Sequence, residues 1–190
     1  DMDAVDDSQD DGSQNVTISV SAAGHNDDSE TLTVLDDDDP TLTLSISPAS
    51  VSEAFGSDAA TGTVYRNSST VSSLVVTLLS SHTSEATVPA SVTILAGQSQ
   101  VYFSLTSIDD ALVDGTQTVT VSAAASGHTG DSDTLDITDD DVPTLTISVS
   151  PSTFSESAGS NIATATITRN TLSGDLTVTL SSSDTGEATI

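Results

Sequence analysis

In the stretch "TLTLSIS", residues 41–47, Leu42, Leu44 and Ile46 alternate with Thr41, Thr43, Ser45 and Ser47. A period of two turns one face of an extended strand toward a core and the other toward water. The same alternation runs through "NVTISVSA", "SVTILA", "QTVTVSAAA" and "DLTVTLSSS". Clusters of Gly, Asn, Asp, Pro and Ser separate these runs, and nowhere do apolar residues keep helical spacing for more than a turn. Several short strands in roughly 100 residues, with β-branched and hydroxyl outer faces, predict an all-β chain of antiparallel two-sheet sandwiches.

The pattern also repeats. Asp6-Asp7 recurs as Asp109-Asp110, Asp11-Gly12 as Asp114-Gly115 and Gly24-His25 as Gly127-His128, a constant offset of 103 residues. The register holds through Pro40 and Pro143, Pro48 and Pro151, Glu53 and Glu156, Gly56 and Gly159, and Arg66-Asn67 and Arg169-Asn170. One residue then drops out, and "LVVTLLSSHTSEATV" aligns with "LTVTLSSSDTGEATI" at an offset of 102. A period this long is one small domain per repeat, not a solenoid coil.

Boundaries fall at Pro40 and Pro143, which follow acidic runs and open the next strand where a missing amide costs little. Residues 1–39 then form the last part of one domain, 40–142 a complete one, and 143–190 the first part of another. Each incomplete piece would leave an uncovered apolar face, so neither is expected to fold alone. Ile190 matches Val88 and Asp1 matches Ser104, so running the end of one copy into the start of the next omits the counterparts of Pro89 to Phe103. The expectation is a window on a much longer polypeptide of similar repeats.

Composition narrows the function. The chain is 35% hydrophobic but only 3% aromatic, which gives a lean core. Its 29 acids against two arginines give a net charge of −27, which argues against nucleic acid and anionic membranes and makes cations the expected partners. There is no cysteine for disulfides or thiolate metal sites. No apolar stretch is long enough to span a bilayer, so no membrane insertion is expected in this segment, and "DMDAVDD" is not a signal peptide.

In the complete repeat the acids gather at turns: Glu53 after the first strand, "DDALVDG" at 109–115, and "DDD" at 139–141. Strands that alternate in direction can bring these segments to one end of a sandwich. Carboxylates at close range either protonate or share a cation, and six to eight hard oxygen ligands suit calcium, whereas zinc or copper call for His or Cys. One acidic run alone would read as a solvated turn. Three that recur together, with the Glu and the DxxxDG spacing kept, favour metal.

The segments "SVSEAFG", "GTVYRN", "ATVPASVTILAGQSQ", "DDALVDGTQT" and "TLDITDDD" resemble the Calx-β domain, found in sodium/calcium exchangers, integrin β4 and large bacterial surface proteins. The resemblance covers one whole domain and part of one on either side. It implies a seven-stranded immunoglobulin-like sandwich that holds Ca2+ at one end. By position, the implied ligands are Glu53, Asp109, Asp110, Asp114, Asp139, Asp140 and Asp141. The incomplete repeats offer Asp6, Asp7, Asp11, Asp36, Asp37 and Asp38 on one side and Glu156 and Asp184 on the other. The middle repeat departs from the family with His82 where Asp184 stands in the third, and imidazole is a poor calcium ligand.

Other motifs carry less. "DDSQDDG" fails as an EF-hand loop, because counting from Asp7 puts Ile18 at the position of the bidentate Glu. His25 and His128 occupy matching Gly-His turns without a nucleophile motif, so no enzymatic activity is expected. Arg66 and Arg169, the only cations, are expected to pair with nearby carboxylates. "NVT" at 15 and "NSS" at 67 fit the glycosylation sequon.

These readings favour a calcium-rigidified structural or adhesive array, extracellular or on a cell surface. Its partners would be calcium, neighbouring repeats and other copies in a fibre. The alternative is a calcium-sensing regulatory module of a larger transporter or signalling protein.

Overall fold

The computed structural model describes all 190 residues, as two compact units: residues 1–109 with 117–138, and residues 110–116 with 139–190. The chain is all-β, with two short 3₁₀ turns and no helix long and apolar enough to cross a membrane.

The first unit begins with the hairpin β1 (Gln14–Val20) and β2 (Asp28–Val34). It continues with β3 (Leu42–Ser47), β4 (Ser50–Ser52), β5 (Ala60–Arg66), β6 (Leu74–Ser80), β7 (Ala86–Thr87), β8 (Ser91–Ile94), β9 (Gln100–Ser107), β10 (Gln117–Ala124) and β11 (Asp131–Thr138). One sheet has the order β4-β11-β10-β6-β8 and the other β3-β5-β9-β7. All neighbours are antiparallel except β4 and β11, which run parallel. Leu42, Leu44 and Ile46 are buried and the hydroxyl residues between them exposed, as their period requires. They join Val64 and Leu105 of their own sheet, and Val76, Val119, Val121, Leu135 and Ile137 of the other, in one apolar cluster. This is the sandwich-like core that positions the acidic turns.

Charged side chains close one seam of the two sheets. Asp131 and Asp133 of β11 accept hydrogen bonds from the backbone N–H groups of Leu44 and Ile46 on β3, each at 2.8 Å. The edge of β3 is thus satisfied by carboxylates where another strand would otherwise be needed.

Arg66 does not do what its sequence context predicts. Its guanidinium is buried and donates to backbone carbonyls: Gln98 from Nε at 3.1 Å and from Nη2 at 2.8 Å, Ser72 from Nη1 at 2.9 Å, and Leu95 from Nη2 at 3.5 Å. Two turns that end near β5 present carbonyls to it, and a five-donor fork satisfies several of them at once. Asn67, next to it, is also committed. Its Oδ1 accepts from Thr41 N at 2.7 Å, and its Nδ2 donates to the carbonyls of Ser8 and Asp39, both at 3.1 Å. A sequon at this position therefore has its amide nitrogen already engaged.

In the second unit β12 (Leu145–Ser150) and β13 (Thr164–Arg169) form an antiparallel pair, with a 3₁₀ turn at Glu156–Ala158 between them in sequence. Asn170 repeats the bonding of Asn67: it accepts from Thr144 N at 2.8 Å and donates to the carbonyls of Ala111 at 2.9 Å and Val142 at 3.1 Å. The strand predicted over "DLTVTLSSS", residues 175–183, is not formed. Its counterpart β6 is held between β10 and β8, and the second unit has no strand corresponding to either. Alternation marks a face, but a strand also needs a partner for its backbone.

Candidate metal centre

Glu53 opens the 3₁₀ turn Glu53–Phe55 directly after β4, where Ser52 Oγ accepts from Ala54 N at 3.3 Å. The turn is fastened to the end of β9: Ser107 Oγ donates to Glu53 O at 2.9 Å and accepts from Gly56 N at 2.9 Å. Asp109 follows Ser107 by two residues, so this fastening sets Glu53 beside the start of the acidic loop. Glu53 is only 3% exposed, unusual for a carboxylate.

Asp139 organises the second acidic segment. Its Oδ2 accepts from Asp114 N at 2.8 Å and Gly115 N at 2.7 Å, and its Oδ1 accepts from Asp141 N at 2.9 Å. Gly115 has a φ of 80°, a conformation that favours glycine and turns its amide inward. This explains the DxxxDG spacing. The N–H groups of Gly115 and Asp141, with a smaller contribution from Asp114, hold the Asp139 carboxyl below the ordinary range against an opposing push from burial.

The first repeat has the same clamp. Asp36 Oδ2 accepts from Gly12 N and its Oδ1 from Asp38 N, the latter at 3.0 Å, and these bonds hold its carboxyl low. Asp38 is pushed the other way, first by removal from water and then by the charges of Asp36, Asp37, Asp6 and Asp7.

Acidic residues that could hold a metal ion include Glu53 and Asp109 in the first unit and Asp139, Asp140 and Asp141 in the second. Like charges at close range repel strongly unless protonated or bridged, and all-oxygen ligands are the donor chemistry of a hard divalent cation.

The other predicted ligands are not among these residues. Asp110 accepts from Leu112 N at 2.6 Å, and the Asp114 amide serves the Asp139 clamp. Asp7 accepts from Gln9 N at 2.8 Å, Asp37 and Asp38 directly follow Asp36 in the chain, and Asp6 and Asp11 lie in the segment before β1. Glu156 is exposed, and Asp184 accepts from Gly186 N at 2.9 Å. His82 Nδ1 lies 3.3 Å from Thr118 O, in a turn of its own. Asp131 and Asp133 were not singled out from sequence, although Asp28 and Glu30 at the 103-residue offset signal that acids recur there.

The two opposite shifts predict opposite mutational effects. A carboxyl held low stabilises the fold above its unfolded pKa, and that contribution is lost as pH falls through the lowered value. Asp139→Asn should therefore lower the melting temperature at pH 7, with the deficit shrinking as the wild type is acidified through the carboxylate range. A carboxyl pushed up disfavours the fold once ionised, so Asp38→Asn should raise the melting temperature at pH 7 in chelator. Thermal scans of both variants from pH 7 to pH 3 check the signs.

Comparison with protein-family models finds none that matches the chain, and comparison with curated proteins finds no match either.

Proposed function

We propose that the chain is part of a calcium-binding structural or adhesive array of Calx-β-like, immunoglobulin-like sandwiches, extracellular or at a cell surface, whose repeats are stiffened by Ca2+. The observation that carries this reading is Glu53, a carboxylate only 3% exposed in a turn fastened to the end of β9 just before Asp109, with Asp139, Asp140 and Asp141 as further acids that could hold a metal ion. Carboxylates offer calcium the monodentate and bidentate oxygens it prefers at flexible geometry. The recurrence of the Asp36 and Asp139 clamps 103 residues apart supports tandem use of one design. The net charge of −27 supports cations as the binding partners.

Binding to the folded form alone adds about 2.7 kcal/mol per ion when calcium exceeds its Kd by about a hundredfold. The melting temperature should therefore rise by several degrees between chelator and about 5 mM calcium, a hundredfold excess over a Kd of roughly 50 μM. Magnesium should give a smaller rise, because it keeps its waters and demands a stricter octahedron. Glu53→Gln should remove most of the calcium effect. Equal melting temperatures with chelator and with calcium would refute the reading.

A further inference from the structure

The chain's only two tyrosines stand side by side on the outer face of the β3-β5-β9-β7 sheet, turned away from the core. Thr63 pairs with Tyr102 and Tyr65 with Gln100, so the two tyrosines are diagonal neighbours on β5 and β9, roughly 7–8 Å apart. Both rings are open to solvent, Tyr65 at 40% and Tyr102 at 62%, whereas Phe103, the next residue on β9, is buried in the core. Thr63, outward between them, is only 9% exposed, so its neighbours form the surface above it. Gln100 Nε2 donates to Tyr102 Oη at 2.6 Å, which orients the phenol and leaves its own O–H to donate elsewhere.

Folding does not call for these rings. β12 and β13 repeat the pairing of β3 and β5 at the 103-residue offset, and there Thr168 stands opposite Thr146 as Tyr65 stands opposite Thr43. Charge is absent from the face as well. Thr43, Tyr65 and Gln100 form one outward row across the three strands and Ser45, Thr63 and Tyr102 the next, and no acid lies on β3, β5 or β9 in a chain that has 29. The opposite sheet has no aromatic residue and carries Asp136 on its outer face, where it accepts from Thr118 Oγ1 at 2.7 Å.

We infer that this face binds a neutral polysaccharide chain, with Tyr65 and Tyr102 as its stacking platforms. The C–H face of a sugar ring is apolar and weakly positive, which suits the negative face of a phenol, and tyrosine supplies that contact area with few rotamers to freeze. Sugar hydroxyls both donate and accept, as do the Ser and Thr hydroxyls and the Gln100 amide around the rings. Two rings at a diagonal spacing on an open sheet suit successive sugars of an extended chain rather than one enclosed sugar. An acidic glycan would be repelled by the net charge of −27, and a basic partner would be drawn to the acidic turns instead. At Tyr65 the face runs on into a cleft of about 610 Å³, whose lining adds Asn67, Ser99 and the carboxylates of Asp38 and Asp39 as acceptors for sugar hydroxyls. This deepens the adhesive role proposed above by naming the class of target, yet neither tyrosine belongs to the metal centre.

The chain has no tryptophan, so its tyrosine fluorescence reports on this face alone. The test titrates the 190-residue chain with cellohexaose, laminarihexaose, xylohexaose, mannohexaose and chitohexaose, and with an oligogalacturonate as the acidic comparison. At least one neutral oligosaccharide should change the emission saturably, with a Kd on the order of 0.1–1 mM, and the acidic one should not. Tyr65→Thr, which installs the residue that β13 carries, and Tyr102→Thr alter exposed positions, so each should melt like wild type. By calorimetry each should weaken binding about tenfold or more, while Tyr65→Phe and Tyr102→Phe keep the ring and should stay within about threefold of wild type. No response to any of the neutral chains, unchanged binding in both threonine variants, phenylalanine variants as weak as the threonine ones, or equal binding of the acidic oligomer would overturn the inference. The titrations use the calcium buffer of the melting experiment, so a null result here leaves the outcome of that experiment untouched.

Discussion

Replacing Arg66 with Met should destabilise the first unit by roughly 3–5 kcal/mol, among the largest effects of any single substitution in the chain. Its guanidinium donates to Ser72 O, Leu95 O and Gln98 O, binding the turn after β5 to the turn before β9, which also meet through Gly97 N and Thr70 O at 2.7 Å. Methionine fills a similar volume but leaves these carbonyls without their donor, at a cost of about 1–3 kcal/mol each where water cannot enter. Arg66→Lys should recover part of the loss, since an ammonium keeps the charge but cannot span three carbonyls with a planar fork. Urea denaturation followed by tryptophan-free probes such as far-UV circular dichroism measures both. An Arg66→Met protein within 1 kcal/mol of wild type (about a fivefold change in the folding equilibrium) would show that the turns hold without it.

Gly62→Ala should cost about 3 kcal/mol, at the upper end of overpacking effects. Gly62 on β5 pairs with Phe103 on β9, and the buried phenyl ring folds over the glycine. A methyl added there would meet Cζ and Cε1 of the ring closer than any relaxed contact. The backbone is not in a glycine-only conformation, so the loss comes from the ring. Phe103→Leu should rescue part of it, giving a coupling of roughly 1–2 kcal/mol in a double-mutant cycle. The matching position in the next repeat is Ala165 on β13, which pairs with β12 alone and has no ring across from it. Additive single and double mutants would place the cost in the strand backbone rather than the ring.

Alternation of apolar and hydroxyl residues determined, by itself, the all-β character and which side of β3 and β10 faces the core. Self-comparison of the sequence found the 103-residue period, and with it the recurrent Asp36 and Asp139, whose backbone clamps the structure then displays. These features are local or periodic, so the chain states them outright. Pairing is different. Residues 175–183 carry the alternation of a strand yet form none, because a strand is completed by partners far away in sequence. Acids pose the same problem: Asp131 and Asp140 look alike in composition, but one caps the edge of β3 while the other joins a group that can hold a metal. Arg66 has the same sequence context as Arg169, and only the meeting of two turns around it makes its carbonyl partners visible. What a charged side chain does depends on which backbone groups the fold has left unsatisfied nearby, and that is decided only when distant segments pack.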